Sequence, residues 1–215
     1  VFDKKLGPGA VVSIAKAGDI IPEIQSIIAP SNTPDLPKFC SVCNSPTNFD
    51  DIHLECLNED CSGKIAKQLS GAVKLLEIQR VGEKTIEPFA KDFKNMYELI
   101  KWVYAKGETN EIEKYGIKFQ SRSQEIFVQA FKNIKSLTYS QVIQMLGYEN
   151  VGDKLSTQIA REHAGLDFDY SNLERALVAK LRSPEISDYI KEVANGLESL
   201  GIKIDKPQKV DSGKT

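Results

Sequence analysis

The stretch Phe39–Cys61, FCSVCNSPTNFDDIHLECLNEDC, contains all four cysteines of this 215-residue chain. Two residues separate Cys40 from Cys43, four separate Cys56 from Cys61, and twelve lie between the two pairs. A C-x2-C turn lets two thiolates reach one ion, and zinc prefers four such ligands in a tetrahedron. The spacing therefore predicts a zinc site, and a structural one, because four protein ligands leave no position open for chemistry.

Two disulfides or four free thiols are the alternative interpretations of the cysteines. Disulfides form in oxidising compartments, and the first residues, VFDKKLGPGAVV, lack a signal-peptide pattern. His53 could replace one cysteine as a ligand, but its place between the pairs favours an exposed position. Because this short stretch cannot bury a core, we expect the metal to fold it.

The composition limits the remaining possibilities. Hydrophobic residues make up 41% of the chain, slightly low for one large core, which favours several small modules. The sequence contains no run of about eighteen apolar residues, so no membrane-spanning helix is predicted. The formal net charge is -2, so binding to nucleic acid would depend on local basic patches. Without an initiator Met, the chain is expected to be a fragment or a processed piece.

The residues before the cysteines, GPGAVVSIAKAGDIIPEIQSIIA, predict two short strands over 10–15 and 20–28. Small and β-branched residues alternate there, around a predicted turn at 17–19. Pro22 predicts an edge position or a bulge in the second strand. Because a two-stranded ribbon is marginal alone, we expect these strands to be the end of a barrel.

The residues after the cysteines have helical periodicity from Lys64 onward. Pro184 is placed to start the last of the predicted helices. Apolar residues recur at helical spacing in four segments, with Ile65, Leu69, Val73 and Leu76 in the first, Met96, Leu99, Ile100 and Val103 in the second, Ile126, Ala130, Phe131 and Ile134 in the third, and Ile186, Ile190, Val193 and Leu197 in the fourth.

Two connections in this helical region repeat one pattern. LLEIQRVGEKTIEPFA at 75–90 and MLGYENVGDKLSTQIA at 145–160 both place Val-Gly-acid-Lys at a predicted helix start. Glycine lets a ligand approach the backbone closely, and the free N–H groups of a helix start attract anionic oxygens. This helix–hairpin–helix pattern predicts phosphate contacts made without base readout.

A tight helix–helix corner without a ligand is the alternative for each copy. The duplication favours a ligand, as does local charge, because the segment 64–106 contains nine Lys or Arg and five Asp or Glu. Two further corners are interpreted as altered copies that serve packing more than phosphate contact. One has Gln120 at the glycine position, followed by Arg122 and Ser123, and Arg122 is still a candidate for DNA contact. The other lies at 183–185.

Three features in this order resemble the C-terminal half of the NAD-dependent DNA ligases of bacteria and phages. They are a strand pair with AKAGDIIPEI, a four-cysteine module and a tandem helix–hairpin–helix region, together covering roughly residues 7–204. The strand pair is similar to the end of that family's OB-fold, a barrel suited to nucleic acids. The family usually has two basic residues before Ala-Gly-Asp, where this chain has Ala15 and Lys16.

The resemblance implies a mainly α chain with a small β part, in four segments. Residues 1–30 would be the C-terminal strands of an OB-fold and 31–62 a four-cysteine zinc finger. Residues 63–205 would be the helix–hairpin–helix DNA-binding domain, and 206–215 a flexible tail. The closing DSGKT is similar to the residues that lead into the family's BRCT domain. The chain is expected to be either an excised piece or the C-terminal subunit of a split phage ligase.

The resemblance also implies a role on nicked double-stranded DNA. Members of the family use NAD+ and Mg2+ to transfer AMP to a lysine and then to the 5′ phosphate of a nick, which the 3′ hydroxyl seals. Their lysine lies in a Lys-x-Asp-Gly motif, and this chain contains no Asp-Gly pair. We therefore expect no catalytic residue here, no binding of NAD+ or Mg2+, and an adenylation domain or subunit as partner. The implied location is the cytoplasm of a bacterial or phage-infected cell, at the nucleoid.

The predicted site residues form two groups, and two other functions stay open. The zinc ligands are Cys40, Cys43, Cys56 and Cys61. One alternative is a non-catalytic helix–hairpin–helix module of a repair nuclease or recombination factor. The other is a zinc-ribbon protein adaptor without DNA contact. The predicted DNA contacts are Lys16, Val81, Gly82, Glu83, Lys84, Arg122, Val151, Gly152, Asp153 and Lys154.

Overall fold

The computed structural model describes residues 6–17, 21–32, 37–49 and 53–208. Within these ranges helices predominate, accompanied by three two-stranded sheets and a cluster of four cysteines. The predicted mainly α class with a small β part is confirmed. None of the helices in these ranges is both long and apolar enough to cross a membrane.

The chain divides into two compact units, and the first, Val1–Glu59, contains two antiparallel strand pairs. The two strands predicted from the alternation are present, displaced by one or two residues. Positions 18 and 19 of the predicted turn lie outside the described residues. The strands of this unit are β1 (Val11–Ala17), β2 (Ile21–Ala29), β3 (Thr47–Phe49) and β4 (Leu54–Cys56).

The β1–β2 ribbon exposes most of its apolar side chains. Pro22 lies opposite Lys16, and the irregularities of the ladder fall elsewhere, so Pro22 occupies an edge strand and not a bulge. Because its apolar residues face outward, the ribbon has little hydrophobic stabilisation of its own. Between 46% and 69% of the surface is exposed in Val11, Ile14, Ile21, Ile24 and Ile28.

The second unit, Asp60–Thr215, contains the helices. A short parallel pair, β5 (Ser136–Thr138) with β6 (Lys203–Asp205), joins the end of the unit to its middle. Short 3₁₀ helices cover Glu87–Lys91 and Asn110–Tyr115. The helices are α1 (Ser62–Leu75), α2 (Glu83–Ile86), α3 (Met96–Lys106), α4 (Arg122–Lys132), α5 (Tyr139–Gln144), α6 (Asp153–His163), α7 (Arg175–Leu181) and α8 (Pro184–Ser199).

The second unit has a continuous apolar core that extends from Ile65 to Ile204. The predicted apolar faces of α1 and α3 are buried in it. In α4 the prediction is partly wrong, because Ile126 and Ala130 are only half-buried while Phe127 and Val128 lie in the core. Phe89 holds the first half of the unit together by stacking on Tyr115 at 4.0 Å and on Phe127 at 5.2 Å between ring centroids.

Candidate metal centre and nucleic-acid interface

The four cysteine sulfurs form one cluster in which every Sγ atom lies within 4.8 Å of the others. A tetrahedral zinc ion with Zn–S bonds of about 2.3 Å spaces its sulfurs about 3.8 Å apart. The Sγ atoms of Cys43 and Cys56 lie 3.5 Å apart, and no disulfide joins any of the four cysteines. Since a disulfide would need about 2.0 Å, the disulfide alternative is wrong and the donor set fits zinc.

A tight turn brings the first pair of cysteines together. Asn44 has a left-handed backbone with φ 56°, and its N–H donates to the carbonyl of Cys40 at 2.9 Å. Backbone N–H groups of Cys43 and Val42 donate to the Cys40 sulfur and hold the pKa of that thiol below its usual range. These donors favour the thiolate, which is the form that binds a metal.

A β-hairpin and a helix start supply the second pair. Cys56 ends β4 opposite Thr47 of β3, and Cys61 is the N-cap residue of α1. The positive end of a helix dipole favours a thiolate at such a position. His53 is exposed, and the cluster found in the described part of the chain consists of cysteines alone.

The two Val-Gly hairpins have nearly the same backbone at glycine. Gly82, the N-cap of α2, has φ -96° and ψ 170°, and Gly152, the N-cap of α6, has φ -95° and ψ -172°. Both glycines are exposed, and a Cβ added to either would meet no atom within 4 Å. Since any residue adopts this extended backbone, the fold requires glycine at neither position.

Each hairpin leaves backbone donors available at its helix start. The carbonyl of Gly82 accepts hydrogen bonds from the N–H groups of Thr85 and Ile86, and that of Gly152 from Ser156. Within the described residues, the first N–H groups of α2 and α6 have no backbone acceptor, and no side chain caps either helix. The valines before the glycines point inward, Val81 being buried and Val151 half-buried.

The charged residues at the two hairpins differ in balance. Lys84 and Lys154 are exposed in the first helical turns, beside the exposed carboxylates Glu83 and Asp153. The segment 79–84 carries two cations and one carboxylate, whereas 149–154 carries one cation and two carboxylates. The first hairpin therefore attracts an anion more strongly than the second.

The corner before α4 corrects the sequence interpretation. Ser121, not Gln120, occupies the N-cap position that Gly82 and Gly152 hold in their hairpins. The Ser121 Oγ accepts a hydrogen bond from the N–H of Gln124 at 3.2 Å, so this helix start already uses one of its donors. The corner at 183–185 also begins a helix, with Ser183 as N-cap and Pro184 first.

The two remaining predicted contacts lie on different elements. Arg122 is the first residue of α4, exposed, with its Nη1 atom 2.9 Å from Oε2 of Glu125. Such surface pairs are weak, so Arg122 can exchange this carboxylate for another anion. Lys16 is exposed on β1 opposite Pro22, in the first unit.

A groove of about 670 Å³ joins the first hairpin to the corner at Ser121. Its lining contains the cations Arg80, Lys84 and Lys118, and no carboxylate among the described residues. Arg80 and Lys118 lie outside the repeated Val-Gly-acid-Lys pattern, so no sequence motif marks them. Their shared groove is visible only in the folded chain.

The chain is similar to DNA ligases of several bacteria. The Finegoldia magna ligase is 24% identical over 229 residues, which cover 97% of this chain and 33% of the ligase. The Clostridium tetani ligase is 26% identical over 92% of the chain, and that of Natranaerobius thermophilus 28% over 89%. This chain is homologous to part of a bacterial DNA ligase. No protein-family model matches it.

The ligase homology confirms the predicted resemblance to a bacterial DNA ligase. The chain spans about a third of the length of the curated relatives it matches, which is consistent with the predicted C-terminal fragment of a bacterial DNA ligase. Because the match covers 97% of the chain, the aligned region includes the cysteine cluster and both Val-Gly hairpins.

Proposed function

We propose that the chain is the DNA-binding portion of an NAD-dependent DNA ligase, which clamps nicked duplex DNA during phosphodiester bond formation in replication and repair. The ligase homology supports the enzyme class. One observation carries the DNA-holding role: two matching helix starts expose glycines that the fold does not need. A ligand that approaches the backbone closely explains why a side chain is missing there.

The hairpins offer hydrogen bonds and charge to a phosphate, but no group that distinguishes bases. Free N–H groups at α2 and α6 can donate to phosphate oxygens, while Lys84 and Lys154 add positive charge nearby. Binding would then be independent of sequence and strongly dependent on salt, because each neutralised phosphate releases counterions. The contribution to sealing would be positional, holding the two strand ends still.

The zinc module would supply stability and no chemistry. Cys40, Cys43, Cys56 and Cys61 would hold a structural Zn2+, whose bonding replaces the apolar core that such a short stretch lacks. The proposed segments are the OB-fold end at 1–30, the zinc finger at 31–62, the DNA-binding domain at 63–205 and the tail at 206–215. The exposed apolar face of the β1–β2 ribbon supports the first, and Lys16 would contact DNA from it.

The remaining steps of sealing are assigned to another domain or subunit. The adenylated lysine and the sites for NAD+ and Mg2+ would lie there, since the chain has no Asp-Gly pair for the lysine motif. Nicked double-stranded DNA and this adenylating part are the proposed partners. The proposed location is the bacterial cytoplasm, where the ligase would act on the nucleoid.

A sealing assay in trans tests this function. We expect the chain alone to release no nicotinamide mononucleotide from NAD+ and to seal no nicks, since the lysine motif is absent. Added to the adenylating part of the Finegoldia magna relative, it should restore sealing of a nicked duplex. The adenylating part alone is the control. Equal sealing with and without the chain, or no salt-dependent binding of the chain to duplex DNA, would contradict the proposal.

The ion pair of Arg122 provides a second test. Glu125→Gln should strengthen binding to nicked duplex about threefold, because it frees Arg122 and removes a negative charge near the phosphates. The part of the gain that depends on Arg122 should disappear when Arg122→Ala is combined with it, as a double-mutant cycle would show by fluorescence anisotropy. A gain of the same size in the Arg122→Ala background would mean that Arg122 does not contact DNA.

A further inference from the structure

Arg80 has an unusual backbone for a large side chain. Its φ is +64°, in the left-handed region that residues other than glycine, asparagine and aspartate seldom adopt. The equivalent position of the second hairpin, two residues before its glycine, has φ +60° but holds Asn150, which tolerates this conformation well. Glu77 and Gln120 also adopt positive φ, so the backbone alone assigns no role to Arg80, and its surroundings carry the inference.

The surroundings of Arg80 suit an anion. Its side chain is exposed and makes no ion pair with any residue that the structure describes. It lines the groove of about 670 Å³ together with Lys84, Lys118 and the side chain of Ser123. It also lines an adjoining groove that contains the Arg122–Glu125 ion pair, so it lies between the two grooves.

The floor of the groove is packed against the core. Tyr115 and Phe127 line it, and both rings stack on the buried Phe89. Burial, together with the neighbouring Asp92 carboxylate, raises the pKa of Tyr115 to about 12, so its hydroxyl stays neutral and adds no negative charge. The floor beneath the cations is therefore packed against the core and carries no charge.

We propose that Arg80 binds a DNA phosphate in this groove, flanked by Lys84 and Lys118, and that the groove extends the contact of the first hairpin toward the corner at Ser121. This inference rests on the proposed function of the hairpins. The helix start at the Ser121 corner already uses one of its N–H donors for its cap. In this proposal the cations that line the groove bind the phosphate there, and the backbone N–H groups do not. The proposal also predicts that the first hairpin contributes more to affinity than the second.

Arg80→Gly tests the charge separately from the backbone conformation, because it removes the cation and leaves a residue that tolerates positive φ. Glycine adopts positive φ readily, so the unfolding temperature should stay unchanged or rise slightly. Binding to a nicked 20-base-pair duplex should weaken about tenfold at low salt, the size of one lost charge-assisted hydrogen bond. The slope of log Kobs against log salt should fall by about 0.9, as for one lost phosphate contact. Lys118→Ala should lower the slope by a similar amount.

Glu77→Gly is the matched control. Glu77 also has positive φ, at +52°, is exposed, and lies in the same connection, but it lines neither groove. Its replacement by glycine should leave the affinity and the salt slope unchanged. If Arg80→Gly and Lys118→Ala bind like the unmodified chain while variants of Gly82 or Gly152 lose affinity, this inference is wrong and the hairpin function stands. If all of these variants bind normally, both are wrong.

Discussion

Replacing both hairpin glycines by threonine should reduce the affinity for nicked duplex DNA at least a hundredfold while the fold survives. Threonine is a good N-cap residue, so its hydroxyl would accept from the free N–H groups of α2 and α6 that a phosphate would otherwise use. Its Cβ would also occupy the open space beside each glycine. Loss of one charge-assisted hydrogen bond at each of two hairpins, about 1.5 kcal/mol or more each, gives this magnitude.

The stability of the same variants makes the result specific. Gly82 and Gly152 have extended backbone with no atom within 4 Å of an added Cβ, so the unfolding temperature of Gly82→Thr and Gly152→Thr should stay the same or rise. Gly71→Thr, on the exposed face of α1, is a control that should bind normally. Gly196→Thr should lower the unfolding temperature, because its Cβ would lie 2.0 Å from the Tyr97 hydroxyl and force that side chain to move.

Fluorescence anisotropy titrations at two salt concentrations would measure the affinity for nicked duplex DNA. Circular dichroism during heating would measure the unfolding temperature. Single glycine variants should each lose about tenfold in affinity, with the first hairpin losing more because its local charge is positive. Unchanged binding by the double variant would remove the assignment of these hairpins to DNA.

Cys43→Ser should release the metal and unfold the segment around it. Structural zinc contributes on the order of 10 kcal/mol to the folding of comparable small modules. The segment has little else to hold it, because its larger apolar side chains are exposed, with Phe39 and Val42 at 58% and Leu57 at 60%. Three thiolates and a serine hydroxyl are a much weaker donor set, since zinc binds thiolate sulfur preferentially.

Zinc content and limited proteolysis measure this effect. Full loss of zinc should accompany new cleavage within 37–61, while the helices from Ser62 onward resist the protease, because their core begins at Ile65. His53→Ala is the control and should keep its full zinc content, since His53 is exposed and outside the cluster. A Cys43→Ser variant with one zinc per chain and an unchanged cleavage pattern would show that the ligand set is wrong.

The predictions that succeeded from sequence were those that depend on neighbours along the chain. Alternation over 10–28 located β1 and β2, and the repeated Val-Gly pattern located two helix starts with equivalent backbone. The cysteine spacing predicted a cluster, and the sulfurs meet. In each case the interacting residues lie within one short stretch of chain, so period, spacing and turn chemistry specify the interaction.

Other features had no local signal. In α4, Ile126 and Phe127 are adjacent and both apolar, so the sequence does not show which of them faces the core. Phe127 does, because its ring stacks on Phe89. Ser121 rather than Gln120 caps this helix because Gln120 has left-handed backbone, with φ 53°, one residue before the cap. The parallel pairing of β5 with β6 joins segments that are far apart in the chain.

The sequence by itself determined the kinds of parts: a thiolate metal cluster, a strand ribbon, amphipathic helices and two glycine hairpins. Only the tertiary structure decided that both glycines are exposed with open space beside them. It also decided that Arg80 and Lys118 line one groove to which the described part of the chain adds no carboxylate. The physical reason is that local patterns fix which conformation a segment prefers. Packing of distant segments fixes which surfaces stay open and which charges meet, and a binding site depends on the second.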